Sequence, residues 1–456
     1  MRLINTQTLQ LEEFFGRPIP EYVILSHRWG ADEVSYKEYA RGRFQPTQDG
    51  YKKVKACCEL ARNWDWKYVW IDIVQNSARQ AINSMYQWYR KAQMCIVHLI
   101  EVDPLTEGDV ATAGDVLTVG RGFEVRLAKS SWFTRGWTLQ ELVASKTTVF
   151  CSGDWTVLGA KLVADGIVSK VWKLVKDMVT LNGTLASITG VPIEVLDKAS
   201  EILSFSVAQR MSWAANRQTT REEDRAYSLL GLFDINLPLL YGEGSKAFKR
   251  LEHEIIRQSS DETIFIFREN TGQDDLADFD RLQRLNEPPI RLPSRASLKD
   301  YRRRPRALLA YSPDQFFDSR QVEYAKFIPR YPYRMTNQGL EIRLETNNTF
   351  TTGEEDEHGL ILLKLNCINN AGFEAHGEEG TPWSYWHVFE RQRCFHYGLK
   401  DTFVEWEREP VDVFTAPTKL TEKVDGAADW ECIESDLTIW VHTSDSTDSN
   451  GEPMCG

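Results

Sequence analysis

The sequence lacks any apolar run near the ~18 residues a membrane-crossing helix needs, so no membrane span is expected. Its opening, MRLINTQTLQLEEFF, has no basic start followed by an apolar core, and does not read as a secretory signal. Cysteine is sparse: there are 8 in 456 residues, with Cys57 and Cys58 adjacent and no C-x-x-C pair, too few for a disulfide framework. The 8 histidines show no H-E-x-x-H or His/Cys ligand spacing, so no metal site is expected. Basic charge is also short. Lys and Arg total 54 against 66 Asp and Glu, a net charge of −12, which argues against nucleic acid as a partner. These absences together predict a reduced, soluble, cytoplasmic chain.

What is present is ordinary in bulk and unusual in one residue. Hydrophobic residues make up 42% and charged residues 26%, typical of a globular protein, and the length suggests two or three domains. Tryptophan occurs 15 times, with eight copies at or before Trp155, which suits cores, interfaces and flat-ligand sites alike.

The N-terminal third alternates strand and helix patterns. Apolar runs at 22–26, 68–73, 94–99 and 147–151 read as strands. Helical spacing appears at 51–63, with Val54, Cys57, Cys58 and Ala61 on one face. It recurs at 78–92, with Ala81, Ile82, Met85, Tyr86, Tyr89 and Ala92, and at 136–144, with Trp137, Leu139, Leu142 and Val143. Strands separated by such helices predict crossover connections and a parallel sheet, whose ligands bind beyond the carboxyl ends of the strands. Ser26, His27, Arg28 and Trp29 follow the first strand, and Asp72 ends the second. A loop through Ser131 and Trp132 to Arg135 then leads into the helix bearing Trp137 and Glu141. Polar and aromatic residues are thus expected on one sheet edge. Residues 156–180 and 200–258 read as mainly helical, 269–307 as a linker or long surface connection, 308–442 as β-rich, and 443–456 as a disordered tail.

Several blocks carry a family resemblance. YVILSHRWG at 22–30, KYVWID at 67–72, AINSMYQWYRKA at 81–92, SSWFTRGWTLQEL at 130–142 and the long stretch 206–248 resemble, in order, the fungal heterokaryon-incompatibility (HET) domain family. SPDQFFDS at 312–319 and NQGLEIRL at 337–344 more weakly resemble that family's C-terminal extension. The resemblance implies a HET core over 1–160 and a helical extension over 161–268. It also implies a cytoplasmic effector of non-self recognition that triggers cell death and works with an incompatibility partner protein.

The strand order and the W-T-L-Q-E-L helix are, more distantly, similar to TIR domains, which implies a TIR-like, flavodoxin-like α/β fold with flanking helices. In enzymatic TIR domains the glutamate of that helix cleaves NAD+, which places the catalytic role on Glu141. NAD+ would be the substrate, and no cofactor is required. The chemistry suits one carboxylate: nicotinamide leaves as a neutral pyridine, so no second acid is needed, unlike an ordinary glycoside. Arg28 or Arg135 would hold the diphosphate, Trp29 or Trp132 would stack on a ring, and Asp72 would bond a ribose hydroxyl. Ser26, His27 and Trp137 complete the expected ligand edge. Activation by self-association is the corresponding expectation.

The residue types also admit structural readings. Glu141 could pair with Arg135, Asp72 could cap the next helix, His27 and Arg28 could bond neighbouring loops, and Trp132 and Trp137 could be core. Arg210, Arg217, Arg221 and Arg225, set among Glu222, Glu223 and Asp224, read as a salt-bridge network fixing the helical extension to the sheet. Arg302–Arg304 and Glu354–Glu357 read as solvated surface. In one place the chain departs from the family pattern: the segment after Asp72 is short and lacks the family's cysteine pair. That shortening could widen the pocket, change the substrate or end turnover. The competing function is therefore a non-enzymatic signalling scaffold that recruits partners.

Overall fold

The structure is a computed structural model that describes residues 1–267 and 309–324, positions 31, 73–77, 114–115, 164–168, 198 and 318 excepted; beyond 324 it describes strands, as backbone only. The chain divides into two units, 1–204 with 216–247, and 205–215 with 248–456.

The first unit is built on a seven-stranded sheet. In chain order its strands are β1 (Arg2–Asn5), β2 (Leu11–Glu13), β3 (Val23–His27), β4 (Tyr68–Trp70) and β5 (Met94–His98). A separate hairpin of β6 (Val110–Ala113) and β7 (Val116–Val119) precedes β8 (Thr147–Cys151) and β9 (Val157–Leu162). The sheet order is β2-β1-β4-β3-β5-β8-β9. Its four central strands, β4, β3, β5 and β8, are parallel, and the outer pairings are antiparallel.

Helices cross between these strands: α1 (Tyr36–Ala40), α2 (Asp49–Asn63), α3 (Ala78–Lys91), α4 (Arg121–Ala128) and α5 (Gly136–Ala144). Each follows from its local sequence. In α1 a capping box of Ser35 and Glu38 satisfies the first free N–H groups. Helix α2 buries Val54, Cys57, Cys58 and Ala61, spaced three and four residues apart, against Val23, Val69 and Ile96 of the sheet. Strands β3, β5 and β8 are buried throughout, as expected for parallel strands covered on both faces.

Four expectations need correction. The sheet is mixed rather than wholly parallel, because the opening residues fold back as β1 and β2 and cover its β4 edge. The second strand stops at Trp70 instead of running to Ile73. The stretch 156–180 is not mainly helical: Val157–Leu162 is β9, and helix is confined to Ser169–Val175. A strand is favoured there because β8 would otherwise leave an unpaired edge. Gly159 allows the approach, since a Cβ at that residue would lie 2.6 Å from the Val179 carbonyl oxygen. Finally, 200–258 is broken into short helices, among them Val207–Ser212, Asp224–Tyr227 and Leu230–Phe233, before the longer Lys246–Gln258.

In the second unit, Ser206 caps the helix Val207–Ser212 and its hydroxyl donates to the Val322 carbonyl at 2.5 Å. Asp261 accepts the Val207 N–H at 2.8 Å. Strands from Val322–Tyr324 to Thr438–Val441 pair in one sheet. The expected linker 269–307, the tail 443–456, Arg302–Arg304 and Glu354–Glu357 lie outside the described residues, as does the short segment 73–77.

Candidate functional site

Numbered along the chain, the four parallel strands lie in the order second, first, third, fourth. Crossovers in such a sheet turn in opposite directions from the first strand, which opens a crevice at the carboxyl ends of the first and third. Those strands are β3 and β5, where Ser26 registers with Val97 and His27 with His98. Arg28–Gly30 after β3, Asp72 after β4 and the helix α5 meet at this point.

Helix α5 brings the carboxylate. It is buried almost all round, from Gly136 through Thr138 to Ala144. Glu141 is only 7% exposed, and its Oε2 is buried with no hydrogen-bond partner. Burial pushes the Glu141 carboxyl up to about 7. Hydrogen bonding from Ser26 and Tyr89 and the charge of Arg135 oppose that rise, and nearby Asp72 adds to it. Such a group is poised near neutrality, able to hold or give up a proton, which is characteristic of catalytic sites.

The β3 end supplies a second cluster. His27 is buried and held neutral, its pKa driven well below the ordinary value by burial, with Lys53, Arg135 and His98 acting in the same direction. Its Nε2 lies 3.9 Å from Glu33 Oε1. Glu33 is paired with Lys53 and accepts the Gly30 N–H at 2.9 Å, while Lys53 also donates to the Arg28 carbonyl at 3.3 Å. Trp29 is 41% exposed. Its ring stacks on His27 with centroids 6.3 Å apart, and its Nε1 donates to Asp72 Oδ2 at 3.2 Å. Burial raises the Asp72 carboxyl, against the pull of Trp29 and Arg135. At the rim, exposed Arg28 lies 3.3 Å from Glu101, which also accepts the Ser131 N–H at 2.8 Å and the Ser130 hydroxyl at 3.1 Å.

Ser26, His27, Trp29, Asp72, Arg135 and Glu141 thus share one neighbourhood, with Arg28 at its edge. Two expected tryptophans are placed differently. Trp132 is 1% exposed, enclosed edge-to-face by Phe133 and Phe150, so no ring face is free for a ligand. It reaches the site through its indole N–H, which donates to Ser26 Oγ at 2.7 Å. Trp137, partly buried, lies near Asp224, which accepts the Tyr241 hydroxyl at 2.9 Å.

Sequence reasoning passed over Tyr89, Glu33, Lys53, Glu101 and Arg217 as site residues. Tyr89 belongs to the apolar stripe of α3, and its hydroxyl donates to the Leu25 carbonyl at 3.3 Å. Arg217 was expected to tie the extension to the sheet. It donates to the Arg135 carbonyl at 3.0 Å and the Thr138 hydroxyl at 3.1 Å, at the start of α5 rather than on the sheet, near Glu141. Among the described residues no group of three or more His, Cys, Asp or Glu side chains could hold a metal ion, and no helix is long and apolar enough to cross a membrane.

The fold and site define an α/β domain with a buried, near-neutral carboxylate at its strand-order switch. Residues 22–141, which span this site, match the heterokaryon incompatibility protein (HET) family, and residues 246–347 match a domain of unknown function (DUF8212). Residues 22–141 are thus similar to a HET domain. The chain is similar to the vegetative incompatibility protein HET-E-1 of Podospora anserina, with 40% identity over 249 residues, covering 52% of this chain and 16% of that protein. No solved structure matches the chain.

Proposed function

We propose that this chain is a cytoplasmic effector of fungal non-self recognition whose HET domain hydrolyses NAD+ at the nicotinamide–ribose bond through Glu141. The observation that carries this reading is the buried Glu141 carboxyl, poised near neutrality with Oε2 unpartnered, at the carboxyl edge of the parallel sheet. The C1′–N bond breaks with its electron pair going to the pyridinium nitrogen, which leaves as neutral nicotinamide. The ionised carboxylate stabilises the positive charge that develops on the ribose. Water then bonds to C1′ and gives its proton to Glu141, yielding ADP-ribose.

Arg135 and Arg28 are placed to hold the diphosphate by charge-assisted bonds, Arg28 on release from Glu101. Trp29 offers the exposed ring face, and Asp72 an acceptor for a ribose hydroxyl. No cofactor is required. Glu141 is enclosed, so substrate entry requires Trp29 and Asp72 to part. Self-association, prompted by an incompatibility partner protein, is the step assigned to that opening.

The same enclosure favours a second reading, a TIR-like scaffold that only recruits partners. Both are tested by incubating the protein with NAD+ and measuring nicotinamide, with Glu141→Gln alongside, and by scoring cell death for the two forms. Release and toxicity that vanish together in Glu141→Gln support the hydrolase. Toxicity that survives the substitution, or no release from an assembled and toxic form, refutes it in favour of the scaffold.

A further inference from the structure

The rim of the crevice aims four hydrogen-bond donors at one carboxylate. Glu101 Oε2 accepts the Ser131 N–H at 2.8 Å and the Ser130 hydroxyl at 3.1 Å. Its Oε1 accepts the Ser131 hydroxyl at 2.6 Å and lies 3.3 Å from the Arg28 guanidinium. The serine turn is set by the fold rather than by Glu101. Ser130 is buried, its hydroxyl oxygen accepts the Trp132 N–H at 3.4 Å, and its carbonyl accepts the Phe133 N–H at 3.1 Å. The Ser131 carbonyl accepts the Thr134 hydroxyl at 3.1 Å, and the Trp132 indole pins the same turn to Ser26 of β3 at 2.7 Å. Glu101 follows β5 on a turn held by buried Leu99 and Val102, and its side chain stays 40% exposed. Burial acts to raise its carboxyl, but the bonds from Ser131 and Ser130 and the charge of Arg28 hold it below its ordinary value.

A backbone N–H, two hydroxyls and a forked guanidinium are the donors that suit phosphate oxygens, and a carboxylate is the side-chain group nearest to phosphate in charge and in its paired oxygens. Stability alone does not call for the contact. Arg28 is 55% exposed and Ser131 is half-buried, so water satisfies both without Glu101. We propose that Arg28, Ser130 and Ser131 form a cradle for a phosphate group, and that Glu101 fills this cradle in the unliganded chain and is displaced when a phosphate-bearing ligand binds. The proposal rests on the hydrolase reading for the identity of that ligand, since it makes the group one of the two phosphates of NAD+. Arg28 directly precedes Trp29, so a phosphate held there sits beside the exposed indole ring already assigned to stacking. The contact also restrains the site. Glu101 and a phosphate cannot share the cradle, because like charges so close repel. An intramolecular carboxylate competes at high effective concentration, so the resting chain holds its own anion and resists a second one.

Calorimetric titration of the full chain in a low-salt, phosphate-free buffer tests this, with orthophosphate and ADP as probes. Glu101→Ala empties the cradle and should bind both probes about tenfold more tightly than wild type, the equivalent of one charge-assisted bond that no longer has to be broken. Adding Ser131→Ala or Arg28→Ala to that variant should remove most of the gain. Asp103→Asn removes an equal charge at an exposed position two residues away and should leave both affinities within about twofold of wild type. An equal gain in Asp103→Asn reduces the effect to net charge and overturns the cradle, as does an unchanged or weaker affinity in Glu101→Ala. A gain for orthophosphate without one for ADP overturns a nucleotide as the source of the phosphate. If Glu101→Ala does not fold, Glu101→Gln, which keeps the shape and loses the charge, carries the same comparison. Neither probe contains the nicotinamide–ribose bond, so the two readings fail separately. A wild-type chain that releases no nicotinamide defeats the hydrolase reading and leaves the cradle to the titration, whereas release without any gain in binding defeats the cradle alone.

Discussion

Removing the charge of Glu141 should stabilise the protein while abolishing its proposed activity, and the gain should depend on pH in a direction the structure dictates. The carboxyl rises from an ordinary value of 4.5 to about 7 on folding. Between those values the folded chain binds more protons at this site than the unfolded chain does. Stability therefore falls as pH rises through the window. At about 1.4 kcal/mol per pH unit, the full cost above pH 7 is about 3 kcal/mol, an upper figure for a buried group. Glu141→Gln removes that cost and keeps a polar side chain of the same shape. The variant also adds a second amide N–H to a buried place, which gives a constant offset. The test is accordingly the slope, not the absolute gain. Urea unfolding of both forms at half-unit steps from pH 4.5 to pH 8 should show the variant's relative stability rising by about 2–3 kcal/mol and then levelling. A difference that stays flat, or one that falls with pH, refutes the claim that burial governs Glu141.

Lys161 is the opposite case: fully buried on β9, it donates to the carbonyls of Leu142 at 2.8 Å and of Ser145, at the end of α5, and burial lowers its pKa to about 7. The folded chain binds fewer protons there from about pH 7 up to 10.5, so wild-type stability rises with pH across that window. Lys161→Met, which leaves the two carbonyls bare, should therefore compare worst with wild type near pH 10 and improve by several kcal/mol at pH 6, measured by urea midpoints. Gly136→Ala places a Cβ 2.5 Å from Thr219 Cγ2 and should cost about 1–3 kcal/mol in thermal unfolding; adding Thr219→Ser, which removes that methyl, should recover most of it. Arg28→Ala breaks an exposed pair with Glu101 and should change stability by less than about 1 kcal/mol. The same change should raise KM for NAD+ several-fold, and an unchanged KM would remove Arg28 from the diphosphate role.

The central strands and helices were legible because their signals are local. Helix α2 announces itself by Val54, Cys57, Cys58 and Ala61, and α5 by the apolar stripe of Leu139, Leu142 and Val143. The edges were not legible. Leu11–Glu13 has no strand pattern of its own and is a strand because β1 lies beside it. Val157–Leu162 contains a glycine and a lysine that weigh against a core strand until Val179 and the end of α5 supply their partners. The site divides in the same way. Glu141, Asp72 and Ser26 could be placed at a sheet edge from strand order alone. The buried state of Trp132, the placement of Trp137 near Asp224, and the bond from Tyr89 to Leu25 depend on which way rings turn, and periodicity carries no information about that.

The two buried charges flanking α5 give the helix a consistent logic. Lys161 satisfies carbonyls at its C-terminal end, where a cation complements the helix dipole. Arg217 binds the Arg135 carbonyl and the Thr138 hydroxyl at its other end. Both side chains are buried at a cost and hold the helix from its two ends, with Glu141 between. A carboxylate with a raised pKa requires such a frame, since it gains by moving toward water and would do so on a looser helix. On this argument the enclosure of Glu141 is sustained by the helix ends, while Trp29 and Asp72 meet across the crevice in a hydrogen bond of 3.2 Å. The proposed substrate would then enter by parting Trp29 from Asp72, with the carboxylate left in place.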